Sequence, residues 1–325
     1  MDASNQNINQ ISLVFTTHRP EMVPLTADFM KTHDAVFLEE PPTPGFEAML
    51  KGELSIDDYL MPVDVEYPEF SRQMCRLLRD LHARGIAIIQ VEPFIEELLA
   101  IHEAFAGGAT PADIMPHSLR DAVYRHEKNA TGALLTYYRT VMTENFDKAV
   151  SAIMAFAKQD AARFRLRDKL RAIAITNRIH PFRRIYIEAG VIHFWLYREL
   201  KAQMTGDLLI KPVFADRPAI RKLGRKGHIY GPGDQLTLLY VLHPHLYNSG
   251  SSREIHLAAR SLIYAKLIAK EEITGDLETY PHIRNELDTI RMVNRLSIDD
   301  CRALFPEIRR RSTAAAVEIV KNHLA

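Results

Sequence analysis

The sequence is short of cysteine, of net charge and of long apolar runs, and each shortage excludes a class of protein. Two cysteines, Cys75 and Cys301, occur among 325 residues, and neither belongs to a Cys-x-x-Cys or Cys/His pattern. A disulfide framework or a zinc knuckle is therefore not indicated, and the count suits a reducing compartment such as the cytoplasm. Lysine plus arginine number 41, and so do aspartate plus glutamate, so no excess charge favours nucleic acid or an anionic membrane as a partner.

No apolar run reaches the ~20 residues that span a bilayer. The opening MDASNQNINQ lacks the basic and apolar regions of a signal peptide, which predicts an intracellular protein without a membrane partner. The chain is 47% hydrophobic and 25% charged. That composition is typical of a globular protein that buries a sizeable core without disulfides or a structural metal.

Short apolar runs alternate with helical patterns in the first part of the chain. Near-continuous apolar strands separated by helices indicate a parallel sheet covered on both faces. We therefore predict an α/β fold with a mainly parallel central sheet, helices on both faces and a large helical C-terminal portion. The predicted strands are 11–17, 34–40, 86–93 and 184–190, with 207–212 as a fifth candidate. The helices nearest to them are 20–32, 66–84, 93–106 and 193–204.

The middle and the end of the chain are predicted to be helical. One or two long helices over 117–158 and another over 160–178 form an insertion of about 94–178 in the core, and 117–178 could make a homo-oligomer interface. We place a boundary near residue 205, between a core of 1–205 and a mainly helical region of 206–325. That region is either a separate domain or part of the same one.

Polar residues end four of the predicted strands or follow them closely. They are His18, the pair Glu39 and Glu40, Glu92, and His193. The carboxyl ends of parallel strands meet at one edge of a sheet, where ligands bind, so we expect these side chains to form one site. Histidine with carboxylates is a ligand set for zinc, manganese or iron, and equally a metal-free general acid and base.

Each of these residues also has a purely structural interpretation. His18 could cap a helix, Glu92 could sit at the N-cap of the next helix, and His193 could be a hydrogen-bonded core histidine. Glu188 lies inside a strand and would then need a basic partner, for which Arg167 or Arg178 is available. The shared location of these residues favours a site over four separate structural roles.

Four segments carry a family resemblance: LVFTTHRPEMVPL (13–25), DAVFLEEP (34–41), RIYIEAGVIHFWLYREL (184–200) and ARFRLRDKL (162–170). They resemble the TraB/PrgY and Tiki group, in the wider superfamily with erythromycin esterase and the haem-binding ChaN-like proteins. The first and third resemble the two Gly-x-x-His elements of the group, the second resembles a strand ending in glutamate, and the fourth resembles an Arg-Asp helix. Gly190 and His193 fit the second Gly-x-x-His element, whereas Phe15 stands where the first element has glycine.

The resemblance implies a site and an activity. By carry-over, His18, Glu39 and His193 would be metal ligands or catalytic groups. Glu40 is the alternative to Glu39 as the glutamate that ends the family's strand. Arg167 would pair with a carboxylate or hold substrate. Tiki-like members are metal-dependent proteases, and erythromycin esterase relatives hydrolyse esters.

The expected function is a hydrolase of peptide, amide or ester bonds that depends on a divalent metal such as Mn, Co or Zn. Glu92 joins the expected catalytic groups through its strand-end position alone. The alternative is a non-enzymatic protein that binds a small ligand or haem in the same pocket.

Two further features are explained more simply by a structural role than by a functional one. In the segment 228–247, Asp234 could be a helix N-cap, and His228 and Tyr230 could line a pocket wall with it. The run Arg309–Arg311 lies in a predicted charged helix over 307–325 and is typical of a solvated face, so no nucleic-acid partner is expected.

Overall fold

A parallel sheet of five strands forms the centre of the computed structural model, which describes residues 10–63, 65–204, 209–248 and 250–325. The strands are β1 (Gln10–Thr16), β2 (Ala35–Leu38), β3 (Ala87–Gln90), β4 (Arg184–Gly190) and β5 (Ile210–Phe214). Their order is β3-β2-β4-β1-β5, and every neighbouring pair is parallel. The predicted α/β class with a mainly parallel sheet is confirmed.

Helices fill most of the remaining described chain. Short 3-10 turns occur at Pro20–Met22, Pro111–Asp113, Pro244–Asn248 and Leu277–Thr279. The α-helices are α1 (Val23–Met30), α2 (Phe46–Lys51), α3 (Ile56–Leu60), α4 (Pro68–Ala83), α5 (Pro93–Ala106), α6 (Leu119–Val141), α7 (Phe146–Thr176), α8 (Phe194–Gln203), α9 (Asp216–Lys222), α10 (Pro232–Leu242), α11 (Ser252–Leu267), α12 (Pro281–Val293), α13 (Ile298–Ile308) and α14 (Thr313–Leu324).

Both faces of the sheet are covered. Leu13 on β1 belongs to an apolar cluster that includes Ala172 and Ile175 from α7. The side chains of opposite phase, such as Val14 and Val36, are also fully buried. This burial on two faces explains why the strands are continuous apolar runs rather than alternating patterns.

The chain divides into two compact units, each built from separate stretches. The sheet unit comprises Met1–Gly108, Leu166–Gly224 and Thr274–Pro281. The helical unit comprises Ala109–Arg165, Arg225–Ile273 and His282–Ala325. This division differs from the boundary we placed near residue 205. Helix periodicity shows that a segment is amphipathic, but it does not show which other helices cover its apolar face.

Three predicted element boundaries are corrected by the structure. The long helices separate at residues 142–145 rather than near 159, because Asn145 Oδ1 accepts a hydrogen bond from Lys148 N at 2.9 Å and caps α7. The charged tail is two helices rather than one, since Ser312 Oγ accepts from Ala315 N at 3.3 Å and starts α14. The fifth strand begins at Ile210, and residues 207 and 208 of its predicted span lie outside the described residues.

In the helical unit, α10 approaches α11 closely through two glycines. A Cβ at Gly231 would lie 2.9 Å from the Tyr264 ring, and one at Gly233 would lie 2.8 Å from Ser261 Oγ, so larger residues would force the helices apart. Asp234 is not the N-cap that we predicted. Gly231 is the N-cap, and the Asp234 carboxylate accepts from its N–H at 2.9 Å from within the first turn.

Within the described chain, no helix is both long and apolar enough to cross a membrane.

Candidate functional site

The loops that follow β1, β2, β3 and β4 all lie at the carboxyl edge of the sheet. Glu39 and Glu40 come directly after β2, Glu92 lies two residues beyond β3, and His193 is the N-cap residue of α8 after β4. Each of these loops supplies only one or two of the site residues. The parallel arrangement brings the segments together, as expected for open α/β sheets.

Glu39 is the hub of a buried ion network at this edge. Its Oε1 lies 2.8 Å from His193 Nε2 and 3.0 Å from Arg167 Nη2. Its Oε2 accepts a hydrogen bond from Gly190 N at 2.6 Å and lies 3.4 Å from Arg171 Nη1. Burial alone would raise the pKa of Glu39, but His193, Arg171 and Arg167 lower it well below the usual value. Glu39 is therefore ionised at neutral pH.

His193 is held between two carboxylates. Its Nε2 faces Glu39, and its Nδ1 is hydrogen-bonded to Asp168 Oδ1 from α7. Asp168 is fixed in turn, because its Oδ2 accepts from Leu196 N at 2.9 Å. Burial lowers the pKa of His193, but Glu39 and Asp168 outweigh it and raise the pKa to about 9. The ring is therefore an imidazolium at neutral pH, with both N–H groups donated to carboxylates.

Arg167 joins Glu39 to Glu92. Its Nε lies 3.0 Å from Glu92 Oε2, and Glu92 is completely buried. Glu92 does occupy the N-cap position of α5, but its side chain makes no capping hydrogen bond and is an ion-pair partner of Arg167 instead. The Arg167 side chain is 21% exposed, against 5% or less for Glu39, Glu92 and His193. Arg167 is thus the member of this network that meets solvent.

Arg171 fastens two strand ends to α7. Its side chain is fully buried, with Nε donating to Val91 O at 3.0 Å and Nη2 donating to Glu188 O at 2.6 Å. The Glu188 carboxylate accepts from Glu39 N at 3.2 Å, which takes the place of the pairing with Arg167 or Arg178 that we expected. The sheet edge thereby satisfies this buried carboxylate through the main chain.

Glu40 has a different environment from Glu39. It is half-buried, and its Oε2 accepts from Gln90 Nε2 at 3.1 Å. Burial and the nearby Glu188 raise the pKa of Glu40, while the Gln90 hydrogen bond and His18 lower it to a smaller extent. The ring of His18 stacks on Phe70 with centroids 5.2 Å apart. His18 thus interacts electrostatically with Glu40 while its ring stacks on Phe70.

The expected metal ligands are only partly brought together. Glu39 and His193 are in contact, whereas His18 stacks on Phe70 beside Glu40. Across residues 10–63, 65–204, 209–248 and 250–325, no group of three or more His, Cys, Asp or Glu is arranged to hold a metal ion. Asp168 behind His193 is nevertheless the arrangement that orients a metal-ligating histidine. As they stand, these residues offer two ligands and do not fit a site with three.

Sequence reasoning missed the role of Arg171 in this network, and it gave Asp168 only a place in a motif. A signal was present, because Arg167, Asp168 and Arg171 lie at spacings of one, four and three, which puts them close together on a helix that also carries buried Ala172 and Ile175. Charged residues next to the apolar stripe of a helix require partners.

The segment 228–247, also singled out in the sequence, belongs to the helical unit. His228 lies against Tyr230, with ring centroids 5.2 Å apart, and His243 lies against His245 at 5.7 Å. They form local aromatic contacts.

Comparison with known proteins gives a relative but no family. The chain is similar to a protein of Archaeoglobus fulgidus described only as uncharacterized, with 27% identity over 294 residues, which are 90% of this chain and 97% of that protein. No family model and no solved structure matches the chain.

Proposed function

We propose that this protein is a hydrolase of peptide, amide or ester bonds that reacts at the carboxyl edge of its sheet. The observation that carries the proposal is the contrast between two adjacent carboxyl groups. The pKa of Glu39 is lowered and that of Glu40 is raised. Carboxyl groups whose pKa values are pushed apart are typical of acid–base sites, where one stays charged and the other transfers a proton.

In this proposal, Glu40 is the proton-transfer group. Its raised pKa makes the Glu40 carboxylate a stronger proton acceptor than an ordinary glutamate, and its partial exposure lets a substrate reach it. Ionised Glu40 takes a proton from a water molecule as the water oxygen attacks the carbonyl carbon. Glu40 then gives that proton to the leaving nitrogen or oxygen as the carbon–heteroatom bond breaks.

Arg167 is the proposed stabiliser of negative charge on the carbonyl oxygen. Its guanidinium is partly exposed and is held by Glu39 and Glu92, so its position is fixed before substrate binds. Glu39, His193 and Asp168 are positioning residues in this proposal, because they hold Arg167 and the strand ends through the buried network.

The test is an activity screen with ester, amide and peptide substrates. We expect Glu40→Gln to lower kcat/KM by about a hundredfold, the usual scale for losing a general acid–base group. Glu103→Gln changes an exposed glutamate on α5 and should leave the rate unchanged. Equal activity of Glu40→Gln and the wild type would disprove the assignment of Glu40.

The divalent-metal form of the hydrolase remains a prediction, as does membership of the TraB/PrgY and Tiki group. Glu39 and His193 would have to give up their mutual contact to hold the ion, and Arg167 already occupies one side of Glu39, so the residues as they stand do not form its site. Elemental analysis of untagged protein, compared with His193→Ala, tests this form. One equivalent of Mn, Co or Zn that disappears in the variant would support it, and an equal metal content in both proteins would contradict it.

The non-enzymatic alternative, a small-ligand or haem-binding protein, is tested by an ultraviolet–visible spectrum of the same sample. A Soret band in the purified protein would favour haem binding. The predicted cytoplasmic location, the possible homo-oligomer and the absence of nucleic-acid and membrane partners likewise stay predictions.

A further inference from the structure

The loop between β1 and the first 3-10 turn carries buried donors that the mechanism above does not use. In the part of the chain that the structure describes, the side-chain oxygen Thr17 Oγ1 and the guanidinium nitrogen Arg19 Nη1 are shielded from solvent and have no hydrogen-bond partner. The residues that carry them, Thr17 and Arg19, are separated by one residue in the sequence. They belong to the loop that leaves the carboxyl end of β1, where open parallel sheets bind ligands.

These two donors differ from the other unpaired polar atoms of the same edge. Glu92 and Arg167 also have buried atoms without a hydrogen bond, but they form an ion pair with each other at 3.0 Å. Arg171 Nη1 lies 3.4 Å from the Glu39 carboxylate. The Arg19 guanidinium instead lies against Tyr67: its central carbon is 4.0 Å from the ring centroid and the two side chains are also hydrogen-bonded, which leaves Nη1 as the nitrogen without a partner.

The stack on Tyr67 orients Arg19 without neutralising it. Cation–π contact restrains the plane of the guanidinium, whereas the Tyr67 hydroxyl donates its own hydrogen to Glu66 at 2.6 Å. A buried N–H or O–H without an acceptor is costly, and such atoms in native proteins usually indicate a missing water, ion or ligand. A guanidinium and a hydroxyl together favour an oxyanion as that acceptor.

We propose that Thr17 and Arg19 bind the oxyanion of an acidic substrate, a carboxylate or a phosphate group, beside Glu40. The residue between them, His18, interacts electrostatically with Glu40, which places the loop next to the proposed proton-transfer group. Thr17, His18 and Arg19 are each half-buried, so the loop reaches the surface even though the two donor atoms themselves are covered.

The assignment of this anion as part of a substrate rests on the proposed hydrolase function, whereas the oxyanion site itself does not. A hydrolase with this loop would prefer esters, amides or peptides that carry an acidic group near the bond to be cleaved. Neutral substrates would lack the contact with Arg19 and would bind more weakly.

Binding is tested first, by calorimetric titration of the full chain with inorganic phosphate and with succinate. We expect at least one of them to bind the wild type, and Arg19→Met to weaken that binding by about ten- to a hundredfold, the usual effect of losing a charge-assisted hydrogen bond. Methionine keeps an unbranched apolar side chain over Tyr67. Phosphate binding without succinate binding would indicate a phosphate-bearing ligand, and the reverse would indicate a carboxylate.

Two further variants keep the test decisive. Arg198→Met removes an exposed arginine that stacks on Trp195 at 4.4 Å and should bind the anion as the wild type does. Thr17→Val removes the hydroxyl at nearly constant volume and should weaken binding by a few-fold, which remains measurable if Arg19→Met fails to fold. Absence of binding to the wild type, or unchanged binding in folded Arg19→Met, would overturn the oxyanion site.

Kinetics separate this inference from the proposed function. If the protein hydrolyses a matched pair of acidic and neutral esters, Arg19→Met should raise KM about tenfold or more for the acidic ester alone. Equal changes for both esters would overturn the assignment of the anion to substrate. If no bond is hydrolysed but phosphate or succinate binds through Arg19, the oxyanion site stands and the hydrolase proposal fails.

Discussion

Both compact units hold carboxylates in buried or half-buried positions, but they surround them differently. In the sheet unit, Glu39 faces an imidazolium and two guanidinium groups. In the helical unit, Asp234 accepts from Gly231 N at 2.9 Å, and Glu254 accepts from the Tyr240 hydroxyl at 2.7 Å. The pKa shifts follow this difference, since that of Glu39 is lowered, whereas burial raises the pKa of Asp234 to about 6.

The comparison shows how to distinguish a structural carboxylate from a candidate functional one. Asp234 lies three residues from its donor Gly231, within one helix start, so a local rule explains it. Glu39 collects partners that are more than a hundred residues away in the chain. A network of several buried charges is costly to assemble and gives little net stability over apolar packing, so stability alone does not account for it.

The largest expected effect comes from removing the buried cation that ties this network together. Arg171→Met would leave the carbonyl groups of Val91 and Glu188 without these donors and would remove a positive charge from Glu39. We expect the free energy of unfolding to fall by about 3–5 kcal/mol in urea denaturation. Arg178→Met is the matched control, because Arg178 makes one long contact of 3.5 Å to Gln90 O, and a loss of similar size there would contradict the assigned role of Arg171.

A pH effect of slightly smaller size is expected from His193. Its pKa is raised to about 9 in the folded protein, so the stability that it contributes is fully present below pH ~6.5 and is lost as the pH rises through about 9. The free energy of unfolding should therefore fall by up to about 3 kcal/mol between pH 6.5 and 9.5. In His193→Gln this loss should disappear, whereas His256→Gln in the helical unit should keep it, and a persisting loss in His193→Gln would refute the assignment.

Asp168→Asn should make the raised pKa of His193 lower, because Asp168 lies against Nδ1 of the imidazole ring. The variant keeps an oxygen near Leu196 N but removes the negative charge beside His193 Nδ1. We expect about 2 kcal/mol of destabilisation at pH 7 and a shift of the alkaline stability loss to lower pH. Destabilisation without that shift would mean that Asp168 acts through packing alone.

The smallest effect is expected in the helical unit. Because the pKa of Asp234 is raised to about 6, its stabilising contribution is present below pH ~4 and is lost as the pH rises through about 6. Asp234→Asn removes the charge but keeps an acceptor for Gly231 N, so we expect it to be neutral or stabilising by about 1 kcal/mol at pH 7. A loss of several kcal/mol would show that this carboxylate needs its charge and would blur the contrast between the units.

Local patterns carried much of the fold prediction. Continuous apolar strands predicted the parallel sheet, and the helix at 93–106 was predicted with the bounds that the structure has, because Pro93 and Gly107 mark its two ends. The predicted break near 159 is absent, and the break within 117–158 was left open, since a four-residue connection capped by Asn145 is a weak signal inside two long amphipathic stretches.

The sequence by itself determined which residues end the strands, because strand propensity and proline or glycine breaks are properties of short segments. It thereby pointed to Glu39, Glu40, Glu92 and His193 as neighbours. Only the tertiary structure decided what each of them contacts. It separated Glu39 from Glu40 by burial and charge, placed Asp168 and Arg171 behind them, and left His18 against Phe70. Contacts between distant segments depend on how strands and helices pack, and electrostatic energies depend on distance and burial, which no local pattern encodes.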